Sequence, residues 1–111
     1  MIDSCLMIKM PEEIDHYKST YICENADKYI LRKDVCHIVF DFSNTKFMDS
    51  SGIGMVLGRY RHMGESSGNM AIVGCSQNIR NILNMAGVFS IIDYYATKDE
   101  AVEQLNRKEV S

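Results

Sequence analysis

A single α/β domain is the architecture this sequence predicts, with a mixed, mostly parallel sheet of about four strands and helices packed mainly on one face. Three observations carry it. Short apolar runs rich in Val, Ile and Phe alternate with segments of helical period. The stretches between runs suit helical crossovers, which are right-handed and set strands side by side in parallel. At 111 residues the chain has room for one domain, residues 1–111, which can bury a core without staples.

Each element follows in order. Cys5 to Met10 is an apolar run that reads as a strand, and Pro11 stops it. Crossover length alone leaves its direction open. Asp15 can cap a helix running to about Arg32, with Ile22, Ala26, Tyr29 and Ile30 at helical spacing. Val35 to Phe42 is apolar enough to be a central strand. Ser43-Asn44-Thr45-Lys46 is a loop, and Asp49 or Ser50 opens the next helix. Ile53, Val56, Leu57 and Tyr60 fall at i, i+3, i+4 and i+7 on it. Gly64 to Asn69 is a polar loop, and Met70 to Gly74 a third strand. Ser76 caps a third helix with Ile79, Ile82, Leu83 and Ala86 on one face, ended by Gly87 at C′. Val88 to Tyr94 holds a fourth strand, expected at Ser90 to Asp93. Thr97 to Glu100 forms a capping box for a last helix, with Ala101, Val102 and Leu105 inward.

The formal net charge of −3 recommends neither nucleic acid nor an anionic membrane as a partner. No stretch approaches the ~20 apolar residues of a membrane span, and the start lacks the pattern of a signal peptide. A cytoplasmic protein is expected. Cys5, Cys23, Cys36 and Cys75 form no Cys-x-x-Cys pair and read as free, mostly buried thiols. His16, His37 and His62 show no ligand spacing, so no metal and no cofactor is expected. The eight methionines, such as Met7, Met55 and Met70, mostly lie in or beside apolar runs and read as core.

The informative segment is Phe47-Met48-Asp49-Ser50-Ser51-Gly52-Ile53-Gly54. The first turn of a helix exposes unpaired N–H groups and the positive end of the dipole. Asp49 can satisfy those groups, and a phosphate would also be favoured there. Gly52 and Gly54 lack side chains, so another surface could approach closely. An ordinary capped helix with close-packed glycines accounts for the same residues. The G-x-G-x-x-x-G form of Gly52 to Gly58 suggests a dinucleotide turn, but it does not follow its strand directly. Gly74 and Cys75 also occupy the place of the acidic ribose ligand. Asp41 ends a strand as a phospho-acceptor aspartate would, yet Pro11-Glu12-Glu13 imitates a receiver's acidic pair poorly. Ser50 is not in a Gly-x-Ser-x-Gly elbow and no histidine is spaced to reach it. An enzyme is not expected.

The same octapeptide, followed by Leu57-Gly58-Arg59-Tyr60, resembles the signature of the STAS domain (sulphate transporter and anti-sigma factor antagonist). Its two-serine form is closest to the sporulation anti-sigma factor antagonists. Glu13-Ile14-Asp15-His16 is similar to the family's acidic turn, and His37 to Phe42 to its central strand. Asn84 to Phe89 with Ile91-Ile92 is similar to its helix-to-strand passage. The resemblance implies binding to an anti-sigma factor that is also a serine kinase. Binding frees a sigma factor, phosphorylation of Ser50 (Ser51 being the rival) ends the complex, and a serine phosphatase resets it. It implies a partner surface of Glu13, Asp15, His16, Asp49, Ser50, Ser51, Gly52 and Gly54. The alternative is a STAS binding module serving another complex or a small-molecule ligand, without a phospho-switch. Two departures are visible: the family's extra first strand is expected to be missing or replaced, and Pro11 or Glu12 replaces a glycine before the acidic turn. Both fall at the partner-facing end, so a different partner kinase is compatible with the sequence.

Overall fold

The computed structural model describes residues 5–31, 37–63 and 70–110. Its elements run β1 (Cys5–Lys9), β2 (Glu13–Ile14), α1 (His16–Leu31), β3 (His37–Asp41), β4 (Phe47–Met48), α2 (Ser50–Met63) and β5 (Met70–Val73). They continue with α3 (Gln77–Met85), a 3-10 turn (Val88–Ser90), β6 (Asp93–Tyr95) and α4 (Lys98–Val110). The strand start expected at Val35 and Cys36, the helix end at Arg32, the side chain of Ile30 and the loop 64–69 lie outside the described residues.

Four strands form the main sheet in the order β1-β3-β5-β6, and every described pairing is parallel. The direction of the first strand is thereby fixed: Cys5 to Lys9 pair residue by residue with His37 to Asp41. All five residues of β3 are buried, because both faces of a central parallel strand are covered. Ile38, Phe40, Met70 and Ile72 point to the face packed with Ile79 and Leu83 of α3, Met55 and Val56 of α2, and Ile22 and Cys23 of α1. Cys5, Val39, Ala71 and Val73 point the other way, onto Ala101 and Leu105 of α4. Three helices thus share one face and the last covers the other.

Local chemistry sets the helix ends. Ser76 accepts a hydrogen bond from the Ile79 N–H at 3.3 Å, and Thr97 Oγ1 from the Glu100 N–H at 3.1 Å. Gly87 ends α3 at φ +79, the left-handed conformation that favours glycine. Two expectations need correction. The fourth strand is Asp93–Tyr95, not Ser90 to Asp93, because Val88–Ser90 first makes a 3-10 turn that buries Val88. Ala86 is the exposed C-cap of α3 and not part of its apolar face.

Asp41, at the end of β3, holds the start of α4 through Lys98 Nζ at 3.7 Å and accepts from the Ser43 N–H at 2.9 Å. Burial pushes its carboxyl up, but the Ser43 hydroxyl and N–H, with Lys98 and Lys9, outweigh this and hold it below the ordinary value. A carboxylate lowered on folding contributes stability that is complete above its unfolded value of about 3.9 and is lost as pH falls below it. The thermal unfolding midpoint should therefore fall steadily from about pH 4 downward, and Asp41→Asn should flatten that acid limb. An unchanged limb would remove Asp41 from the account.

Candidate functional site

The site begins with a second, two-stranded sheet that periodicity does not announce. β2 and β4 pair in parallel, Glu13 with Phe47 and Ile14 with Met48. The Lys46 and Phe47 N–H groups both donate to Glu12 O, at 2.7 and 3.2 Å, and the Asp49 N–H donates to Ile14 O at 3.1 Å. Below them the buried Thr45 donates its hydroxyl to Pro11 O at 2.8 Å. These bonds bring the acidic turn and the serine segment together, although 34 positions separate Ile14 from Met48.

Each strand of this ribbon leads into a helix. Asp15 Oδ1 accepts from the Lys18 N–H at 2.9 Å and caps α1. Asp49 Oδ1 accepts from the Ser51 N–H at 2.8 Å and from the Ser51 hydroxyl, capping α2. The Ser51 hydroxyl and then its N–H hold the Asp49 carboxyl below its usual range, with His16 adding to the effect against slight desolvation. Farther along, Arg59 Nε meets Asp27 Oδ1 at 3.0 Å, clamping α2 to α1. Two helix N-termini thus open side by side, each with a carboxylate on its free N–H groups.

The predicted residues divide into two sets. Glu13, His16, Ser50 and Gly54 are exposed, and Asp15 and Asp49 half-buried. Among the described residues the Ser50 side chain has no hydrogen-bond partner. Ser51 is half-buried and faces Ser19 of α1, with the two hydroxyl oxygens 3.0 Å apart. Gly52, expected to let another surface approach, is instead buried: a Cβ there would lie 2.5 Å from Met48 Cγ and Sδ and 3.2 Å from Ile14 Cγ2. Its smallness serves internal packing, while Gly54 opens on space. Sequence reasoning missed Ser19, although it continues the α1 stripe of Cys23 and Ala26 at i+4 and i+7 and is only 5% exposed. A polar residue on an apolar stripe was the available signal.

Among the described residues no three His, Cys, Asp or Glu side chains gather as a metal site would need. An open cleft of about 690 Å³ lies where β1 and β3 end, lined by Lys9, Pro11, Asn44, Lys46 and Ser76 among others. Neither Ser50 nor Ser51 lines it. Of the thiols, half-buried Cys75 is pushed up to about 12 by desolvation, which leaves no thiolate at neutral pH. No helix of the described residues is long and apolar enough to cross a membrane.

A four-stranded parallel sheet, its short ribbon and two capped helix starts define a regulatory α/β domain of the STAS type. Residues 1–101 match the STAS domain, and the chain belongs to that family. It is 34% identical over 100 residues to an anti-sigma F factor antagonist of Paenibacillus polymyxa, covering 90% of this chain and 86% of the relative. It is 28% identical over 101 residues to that of Lysinibacillus sphaericus, covering 90% and 85%. Among solved structures, the unphosphorylated anti-sigma factor antagonist SpoIIAA superposes with TM-score 0.86 at 28% identity, over 96% of this chain and 92% of that one. The phosphorylated Bacillus SpoIIAA gives 0.77, also at 28%, over 95% of both. In sequence and fold this chain is of the SpoIIAA type.

The glycines separate packing from surface. Gly52→Ala should destabilise the domain by about 1–3 kcal/mol, because crowding against buried Met48 exceeds the helix-propensity gain of ~1 kcal/mol. Gly54→Ala should be neutral or stabilising by about 0.5–1 kcal/mol. Denaturant unfolding of both variants checks this, and equal effects would refute the assignment.

Proposed function

We propose that this chain is an anti-sigma factor antagonist that binds an anti-sigma factor with serine kinase activity, and that phosphorylation of Ser50 ends the complex. A serine phosphatase then restores the binding form. The supporting observation is the exposed hydroxyl of Ser50, without a hydrogen-bond partner among the described residues, at the junction of two helix starts and beside a Ser51 turned inward. The names of the Paenibacillus and Lysinibacillus relatives support the partner class. In this reading the protein is ligand and substrate, not enzyme. It acts in the cytoplasm, where the kinase and its ATP are found.

The mechanism follows from charge. The kinase transfers the γ-phosphoryl group of ATP to Ser50 Oγ: the new O–P bond forms as the bond to the β-phosphate breaks, ADP leaves, and the hydroxyl proton passes to a base of the kinase or to water. The product carries about −1.5 to −2 at neutral pH. Within the domain the cost is small: the N–H groups and dipoles of α1 and α2 favour the anion, while ionised Asp49 opposes it. In the complex the cost is large. A partner seated on Glu13, Asp15, His16, Asp49, Ser50 and Gly54 would bury an unpaired double charge, at several kcal/mol.

Ser50→Ala should bind the kinase and stay bound when ATP is added, and Ser50→Asp should bind poorly while remaining folded. Phosphorylation should weaken binding by at least ~4 kcal/mol, roughly a thousandfold. Phosphopeptide mapping after incubation with the anti-sigma factor kinase of the same genome should find phosphate on Ser50. Phosphate on Ser51 alone would overturn the residue assignment, and none on either serine would favour a plain binding module. Asp15→Ala should weaken partner binding by about 1.5–3 kcal/mol if its carboxylate makes a charge-assisted contact. The fold should survive the lost cap, which costs ~1 kcal/mol. Unchanged affinity would take the acidic turn out of the interface.

A further inference from the structure

Ser19 lies in α1, 5% exposed, with its hydroxyl oxygen 3.0 Å from Ser51 Oγ of α2. A serine hydroxyl has one proton to give, and an ionised carboxylate can only accept. Ser51 gives its proton to Asp49 Oδ1, so the proton between the two serines must come from Ser19. The bonds therefore run in one direction, from Ser19 to Ser51 to Asp49. Ser51 has no proton left to offer outward, and a phosphorus bonded to its Oγ would need space that Ser19 and Asp49 occupy. We infer that Ser19 is a positioning residue: it ties the Ser51 hydroxyl inward, steadies the Asp49 cap, and leaves Ser50 as the one hydroxyl of the pair open to modification. The last clause rests on the reading of Ser50 given above, whereas the chain of bonds stands without it.

Two measurements on the purified protein test this without a kinase or partner. The first follows the Asp49 carboxyl through acid titration by NMR in wild type, Ser19→Ala and Ser19→Thr. Aligned donors reinforce one another, so losing the Ser19 proton should weaken the bond to Asp49 and raise its midpoint by about half a pH unit in Ser19→Ala. His16, the other charged group acting on Asp49, is unchanged in both variants. Ser19→Thr keeps the hydroxyl and should keep the wild-type midpoint, which a purely steric role would not require. Ser19→Ala removes only one oxygen and keeps the test readable should threonine not fit. An unchanged midpoint in Ser19→Ala would overturn the positioning role. The second encodes phosphoserine at position 50 or 51 and records thermal unfolding. Phosphoserine at 51 should lower Tm by at least about 5 °C more than phosphoserine at 50. Equal tolerance would overturn the selection of Ser50. Neither result depends on partner binding, so failure of the phospho-switch would be seen separately.

Discussion

One backbone hydrogen bond, from the Asp49 N–H to Ile14 O, makes a site out of two distant stretches of chain. With the Glu12 carbonyl bonds it closes the β2–β4 ribbon and fixes where α1 and α2 begin. The ribbon is only two residues long on each side and would not persist by itself. Ile14 and Met48 hold it by plugging into the main core, fully or almost fully buried. Gly52 lets α2 settle directly on those side chains. Burial of two apolar residues thus aligns Asp15, Asp49 and Ser50, none of which contributes to the core.

The electrostatics follow from that placement. Two helix starts side by side concentrate unpaired N–H groups and two positive dipole ends on one edge. Asp15 and Asp49 satisfy part of this demand from within. In the proposed switch a phosphate on Ser50 would meet the remainder, which would let the domain carry the modified residue without repacking. The exposed outer rim, with Glu13, His16 and Phe47, is where modification would be felt. Under the proposed function, such a division would let a charge change alter recognition while the sheet and its two cores stay as they are.

Features set by local chemistry were legible in the sequence. Asp15, Ser76, Thr97 and Gly87 behave as their residue types and positions imply, because caps depend on three or four neighbouring residues. The main strands were also readable, since buried parallel strands are continuous apolar runs, whereas their order β1-β3-β5-β6 came only with the structure. The ribbon was not, because two-residue strands have no periodicity and exist only through their partner. The fourth strand shifted because Val88 to Tyr94 is mostly apolar, broken only by Ser90 and Asp93, and pattern alone cannot say where a turn interrupts it. The inward role of Gly52 is not legible, because a glycine's sequence does not reveal which side its missing side chain would have faced. Ser19 escaped notice for the opposite reason: its position on the α1 stripe was visible, but the residue it meets lies on another helix.

The central claim is that phosphate on Ser50 changes a surface and not a fold. Amide NMR spectra of unmodified protein and protein with phosphoserine encoded at position 50 test it most directly. The account predicts shifts confined to residues 13–19 and 46–55, with β5, β6, α3 and α4 unmoved. Shifts spread through the main sheet, or collapse of spectral dispersion, would contradict it.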